Sequence, residues 1–239
     1  LNLIIEGVKQ AFLLLLEGDS ELIQITLLSI KVSGSAVLIS MSIGIPLGLL
    51  IALSDFPGRR LAVALINTGM GFPPVVVGLA VAMFLWRSGP LGFLNILYTP
   101  VAMVAAQVII AFPIIAGLTL AAIQQLDPRL SLQALALGAS RFQVLLTLIR
   151  EARLATLAAI MAGFGGVISE VGAVMMVGGN IKGQTRVLTT ATVMEVRMGH
   201  FAMAIALSII LMSLVFAVNY LLTTIQQKGE TPWITHIWK

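Results

Sequence analysis

Long uncharged runs separated by short charged punctuation dominate this chain. They cover residues 32–54, 61–86, 88–126 and 198–227, and a fifth, 154–181, is interrupted only by Glu170. Each exceeds the roughly 20 residues a helix needs to cross a hydrocarbon core about 30 Å thick. The pattern predicts about five membrane-spanning helices. Gly89, Pro90, Gly92 and Pro100 break the start of the third run into a loop, so the second span should end near Trp86 and the third begin near Thr99. The strict alternation of barrel strands is absent, and backbone groups in lipid must be satisfied within the segment. The predicted fold class is all-α, a polytopic membrane protein.

Shorter features divide the chain further. Residues 1–18 read as an amphipathic segment whose apolar run, 11–16, is too short to span, which predicts an interfacial helix. Residues 19–227 form the transmembrane domain, and 228–239 a tail whose Trp233 and Trp238 should touch the membrane surface. In the first span Gly44, Gly48 and Ala52 lie four apart, a small-residue face that lets another helix come close. Pro46 in the first span, and Gly69, Gly71, Pro73 and Pro74 in the second, predict bends. Interrupted helices at membrane depth are tolerated where protein or a water-filled path supplies the missing bonds.

One segment outside the spans stands apart. Asp127 is a good N-cap, Pro128 suits the first helical position and Gly138 can end a helix in the left-handed conformation. Ser140 can cap the next helix, running through Arg141 into the fourth span. Residues 129–137 are therefore expected to form a short, punctuated helix in which Leu130, Ala134 and Leu137 share a face. Such a ridge suits a groove on a partner. An interfacial helix lying on lipid headgroups is the other reading.

Composition and charge agree with the membrane reading and narrow the chemistry. The chain is 59% hydrophobic and 10% charged, with a mean hydropathy of +1.05. A soluble fold of 239 residues could not cover that much apolar surface. Arg59, Arg60, Arg129, Arg141, Arg150, Arg153, Lys228 and Lys239 fall on one side of a five-span layout, against six of the 14 basic residues on the other. The excess predicts a cytoplasmic side holding the 127–153 region and the C-terminus, with the N-terminus outside. The net charge of +4 then reflects topology and no affinity for nucleic acid. Without cysteine there is no disulfide or thiolate chemistry, and His200 and His236 are too isolated for a metal site. No basic leader with a cleavage site opens the chain, and no phosphate-binding loop occurs, so ATP chemistry would need another chain. An intramembrane enzyme lacks its cluster of acids and bases, whereas a stand-alone channel or secondary transporter stays open as an alternative.

A resemblance sharpens this picture. Ala134 and Gly138, followed by Ala139 and Ser140, resemble the cytoplasmic signature loop of binding-protein-dependent ABC importer permeases, with Leu132 where that loop has an acidic residue. The segments 72–79 (Phe-Pro-Pro-Val-Val-Val-Gly-Leu) and 168–186 are similar to the tungstate, molybdate and sulfate branch, most of all to tungstate permeases. The resemblance implies a permease domain over 19–227, with a coupling helix at about 128–140. It also implies a dimer with a second copy, a cytoplasmic ABC ATPase dimer carrying ATP and magnesium, and an extracytoplasmic oxyanion-binding protein. The chain itself would hold no cofactor. Coupling to the ATPase would fall on Arg129, Leu130, Ala134, Leu137, Gly138, Ala139, Ser140 and Arg141. The expected location is a prokaryotic inner membrane.

An oxyanion needs donors that bind weakly enough to release it. Candidate pathway residues are Asn67, Thr68, Phe72, Pro73, Pro74 and Gly78 around the second-span break, Ser169 and Glu170, and Thr185, Thr189 and Thr192 at helical spacing. Ser33 and Ser40 share a face of the first span. Gly178, Gly179 and Asn180 could form an anion-binding nest with Lys182 and Arg186 nearby, or a plain turn. Glu170, costly in lipid, should have a partner, with Arg186 or Arg197 the candidates.

Overall fold

The computed structural model describes residues 2–227, and regular structure among them is helical throughout. The elements are α1 (Asn2–Glu17), α2 (Ser20–Leu53), α3 (Arg59–Met70), α4 (Pro74–Leu85), a 3₁₀ turn (Gly92–Leu94), α5 (Pro100–Gln124), α6 (Pro128–Ala136), α7 (Arg141–Glu151), α8 (Arg153–Ile168), α9 (Gly172–Gly178), α10 (Leu188–Arg197) and α11 (Phe201–Gln227). Three of them, α2, α5 and α11, are long and apolar enough to cross a membrane unaided. The pairs α3–α4 and α8–α9 are bent by 102° and 58°, and counting each as one span gives five. The tail with its two tryptophans lies outside the described residues.

Several boundaries differ from those the charge pattern predicts. The first span starts at Ser20 because Asp19 caps it, accepting from the Leu22 N–H at 2.7 Å, and the helix carries Glu21 and Lys31 within it. Its 34 residues make about 51 Å, well beyond the apolar thickness. The third span begins as expected, with Thr99 as N-cap. The fourth does not continue from Ser140: α7 stops at Glu151 and α8 restarts at Arg153.

Glycines decide how the helices pack. A Cβ on Gly48 would stand 2.6 Å from the Ala116 carbonyl oxygen, and one on Gly44 3.3 Å from the Ala116 nitrogen, so the predicted small-residue face of α2 lies against the α5 backbone. Antiparallel α3 meets α5 where Gly69 abuts Pro113 and Gly117 abuts Met70. From another side α8 brings Gly163 against Ile115, within a buried cluster of Val37, Ala111, Ile115, Phe164, Val167 and Ile168. Helices α4 and α9 approach closely through Gly78 and Ala173. The N-terminal segment packs on α11 through Gly7, which faces Ile205, and through buried Ala11. Leu3, Phe12 and Leu16 remain exposed on it, as do Leu38, Met83, Met212 and Phe216 elsewhere, the surface expected of a chain solvated by lipid.

Candidate functional site

The α6 element is built from local signals alone. Asp127 accepts from the Arg129 N–H at 2.8 Å, and Pro128 occupies the first turn, where its missing N–H costs nothing. At the other end Gly138 takes φ +84°. Its N–H donates to the Leu135 carbonyl at 2.9 Å and the Ala139 N–H to the Ala134 carbonyl at 3.0 Å, a paired closure that satisfies the last carbonyls. Ser140 and Gln143 then cap α7 reciprocally, the Ser140 N–H donating to Gln143 Oε1 at 2.7 Å and the Gln143 N–H to Ser140 Oγ at 3.4 Å.

No residue of α6 is buried. Leu130 and Ala134 are half-buried, whereas Leu137, expected on their face, ends the helix and is 88% exposed. The outward apolar side chains are Leu132, Leu135, Leu137 and, on α7, Phe142. Of these only Leu137 is among the expected coupling residues; Leu132 stands out in the sequence as a departure from the signature loop, and Leu135 and Phe142 carry no signal. Of the other residues expected here, Ala139 is half-buried and Arg129, Ser140 and Arg141 are exposed.

The two bends hold most of the remaining candidates. At α3–α4, Asn67, Thr68, Phe72 and Pro73 are exposed, Pro74 is half-buried and Gly78 is buried against Ala173. At α8–α9, Ser169 is exposed with its hydroxyl donating to the Gly165 carbonyl at 2.7 Å. Glu170 pairs with neither arginine proposed from the sequence. Its Oε1 accepts from the Ala173 N–H at 2.9 Å, and its carbonyl accepts from Thr189 Oγ1 at 3.1 Å. Arg186 is engaged elsewhere: Glu21 at the start of α2 takes Lys182 Nζ at 2.6 Å and Arg186 Nη1 at 3.3 Å.

The three threonines do not share one helix face, because α10 starts at Leu188. Thr185 is fully buried in the preceding turn, where Oγ1 donates to the Gly178 carbonyl and accepts from the Ile181 N–H. That hydroxyl closes the glycine turn and offers nothing to an anion in this conformation. Thr192 is half-buried and bonds the Leu188 carbonyl at 2.8 Å. Ser33 and Ser40 are buried, Ser40 donating to the Val108 carbonyl on α5 at 3.4 Å.

One further residue joins this site without having been foreseen. Gln107, a lone amide in the apolar middle of α5, is 3% exposed, and its Nε2 donates to the Val167 carbonyl at the end of α8, at 2.9 Å. Its Oε1 is buried with no partner among the described residues, an omission that costs about 1–3 kcal/mol. The amide orientation is fixed by chemistry, since only the nitrogen can face a carbonyl.

Residues 44–229 match the family described as binding-protein-dependent transport system inner membrane component. The chain is 41% identical over 225 residues to the tungstate uptake system permease protein TupB of Peptoclostridium acidaminophilum, covering 94% of this chain and 99% of that one. It is 43% identical over 205 residues to a probable anion ABC transporter permease of Haloferax volcanii, covering 84% and 88%. The molybdenum transport system permease ModB of Escherichia coli K12 is 31% identical over 70% of this chain and 77% of that one. Among solved structures, the inward-facing MetNI methionine ABC transporter superposes with a TM-score of 0.71 over 88% of this chain and 96% of that one, at 17% identity, which speaks to the fold alone. The chain belongs to the binding-protein-dependent transport family: it is a type I ABC importer permease, a transport subunit and not an enzyme.

Proposed function

We propose that this chain, paired with a second copy, forms the pathway of an ATP-driven importer of a tetrahedral oxyanion, with tungstate as cargo and molybdate or sulfate as the nearest alternatives. The near end-to-end likeness to a named tungstate uptake permease carries this reading. The α6 element supports the mechanical half of it. A short helix closed at both ends, with no buried residue and a ridge of Leu132, Leu135 and Leu137, fits a groove on a cytoplasmic ATPase dimer that holds ATP and magnesium. On this reading α6 faces the cytoplasm, the start of α2 faces outward, and an extracytoplasmic binding protein delivers the anion.

Closure of the ATPase would move α6 as a rigid piece, and the spans would respond at their weakest joints, the two bends. Exposed Asn67, Thr68 and Phe72 at one bend, and Ser169 and Glu170 at the other, would border the path when it opens. Weak polar groups suffice there because the delivery protein can hold the affinity.

The test is ATP-dependent uptake of labelled tungstate by the complex reconstituted in liposomes, with unlabelled tungstate, molybdate, sulfate and phosphate as competitors. Tungstate should compete best. Stronger competition by molybdate or sulfate overturns the cargo, and indifference to all these anions overturns the oxyanion reading itself.

A further inference from the structure

An amide inside a 25-residue apolar helix demands an explanation, because in lipid it needs partners for both of its ends. Gln107 reaches 60 residues along the chain to the Val167 carbonyl. In a straight helix that carbonyl would accept the Val171 N–H. At the α8–α9 bend it accepts instead from the Ser169 N–H, from the Glu170 N–H at 3.2 Å and from Gln107. The next carbonyl of the bend that another helix holds is that of Glu170, which takes the Thr189 hydroxyl from α10. Donors from α5 and α10 thus add to the local bonds where the helical ladder is interrupted. The Glu170 carboxylate secures the first turn of α9 from within.

Stability alone does not account for this arrangement, since a leucine at 107 would bury no orphaned oxygen. We propose that Gln107 is a positioning residue that selects the bent state of the α8–α9 span, with Thr189 as its counterpart on the far side. The Gln107–Val167 bond belongs to the bent conformation; straightening returns the Val167 carbonyl to the helical ladder and releases the amide. The inference rests on the permease reading, in which a change at this bend opens or closes the pathway.

The chain contains no cysteine, so labels can be placed at will. Ala162 on α8 and Gln184 beyond α9 are both exposed. Spin labels at these two sites, in the full transporter complex in lipid nanodiscs, report the bend as a distance. Loss of one neutral hydrogen bond should lower the bent-to-straight ratio about fivefold. Gln107→Leu is therefore expected to lengthen the mean separation without nucleotide, to lower uptake per ATP hydrolysed, and to leave the thermal midpoint equal or higher. Thr189→Val should shift the distance in the same direction and serves if the leucine variant does not assemble. Distances unchanged from the parent in both variants overturn the brace, whatever the cargo. Absence of any ATP-driven uptake by the parent complex counts instead against the importer reading and leaves the distance comparison standing.

Discussion

The α3–α4 bend turns the chain through 102° across residues 71–73, and its bonds are local: the Gly71 N–H to Thr68, the Phe72 N–H to Gly69, the Val76 and Val77 N–H groups to Pro73. The α8–α9 bend is shallower, 58°, and contains no proline; Gln107 and Thr189 reach it from other helices. One bend is held by bonds among its own residues. The other draws on distant residues as well as its own, so it can be revised when they move. A helix pair that must change during transport is better built in the second way.

The packing between the bends can be attacked most severely. Gly78→Val places a Cβ about 2.5 Å from the Ala173 Cα, where only backbone could give way. It should cost about 3 kcal/mol, read as a lowered thermal midpoint of the purified chain. Next in size, Glu170→Ala should be less stable than Glu170→Gln by about 1 kcal/mol, because only the glutamine keeps an acceptor for the Ala173 N–H. Comparing these two variants removes the charge from both and isolates the cap. Thr189→Val, losing its bond to the Glu170 carbonyl, should cost about 1 kcal/mol in the same assay. The smallest effect belongs to the other bend. Thr68 is exposed and its hydroxyl donates to the Ala64 carbonyl of its own helix, so Thr68→Ala should stay within about 0.5 kcal/mol. A loss at Thr68 as large as that at Thr189 would erase the distinction between the two bends.

The contrast also governs what could be read from the chain beforehand. Pro73, Pro74 and Gly71 announce the first bend, and Asp127, Pro128, Gly138 and Ser140 announce α6, because turns and caps depend on neighbours in sequence. The Gly44–Gly48 face was legible for a similar reason, though its partner α5 was not. Glu170 could be flagged as needing a partner, but the backbone of its own bend supplies it, and Arg186 turns to Glu21 instead. Thr185 fell in with Thr189 and Thr192 because spacing cannot show where a helix starts. Leu130, Ala134 and Leu137 part company for a related reason: Leu137, which ends the helix, is exposed as a docking ridge requires, whereas Leu130 and Ala134 are half-buried.

Coupling through α6 is the claim on which the transport mechanism stands, and its exposed ridge permits a clean test. Leu132→Glu combined with Leu135→Glu alters two outward side chains of a helix that has no buried residue, so the chain should still insert and fold. The decisive measurement is ATP-driven oxyanion uptake, with ATPase co-purification, for this double variant in the reconstituted complex. The account predicts that a folded permease no longer retains its ATPase and that uptake falls to background; a variant that holds its ATPase and transports at the parent rate contradicts it.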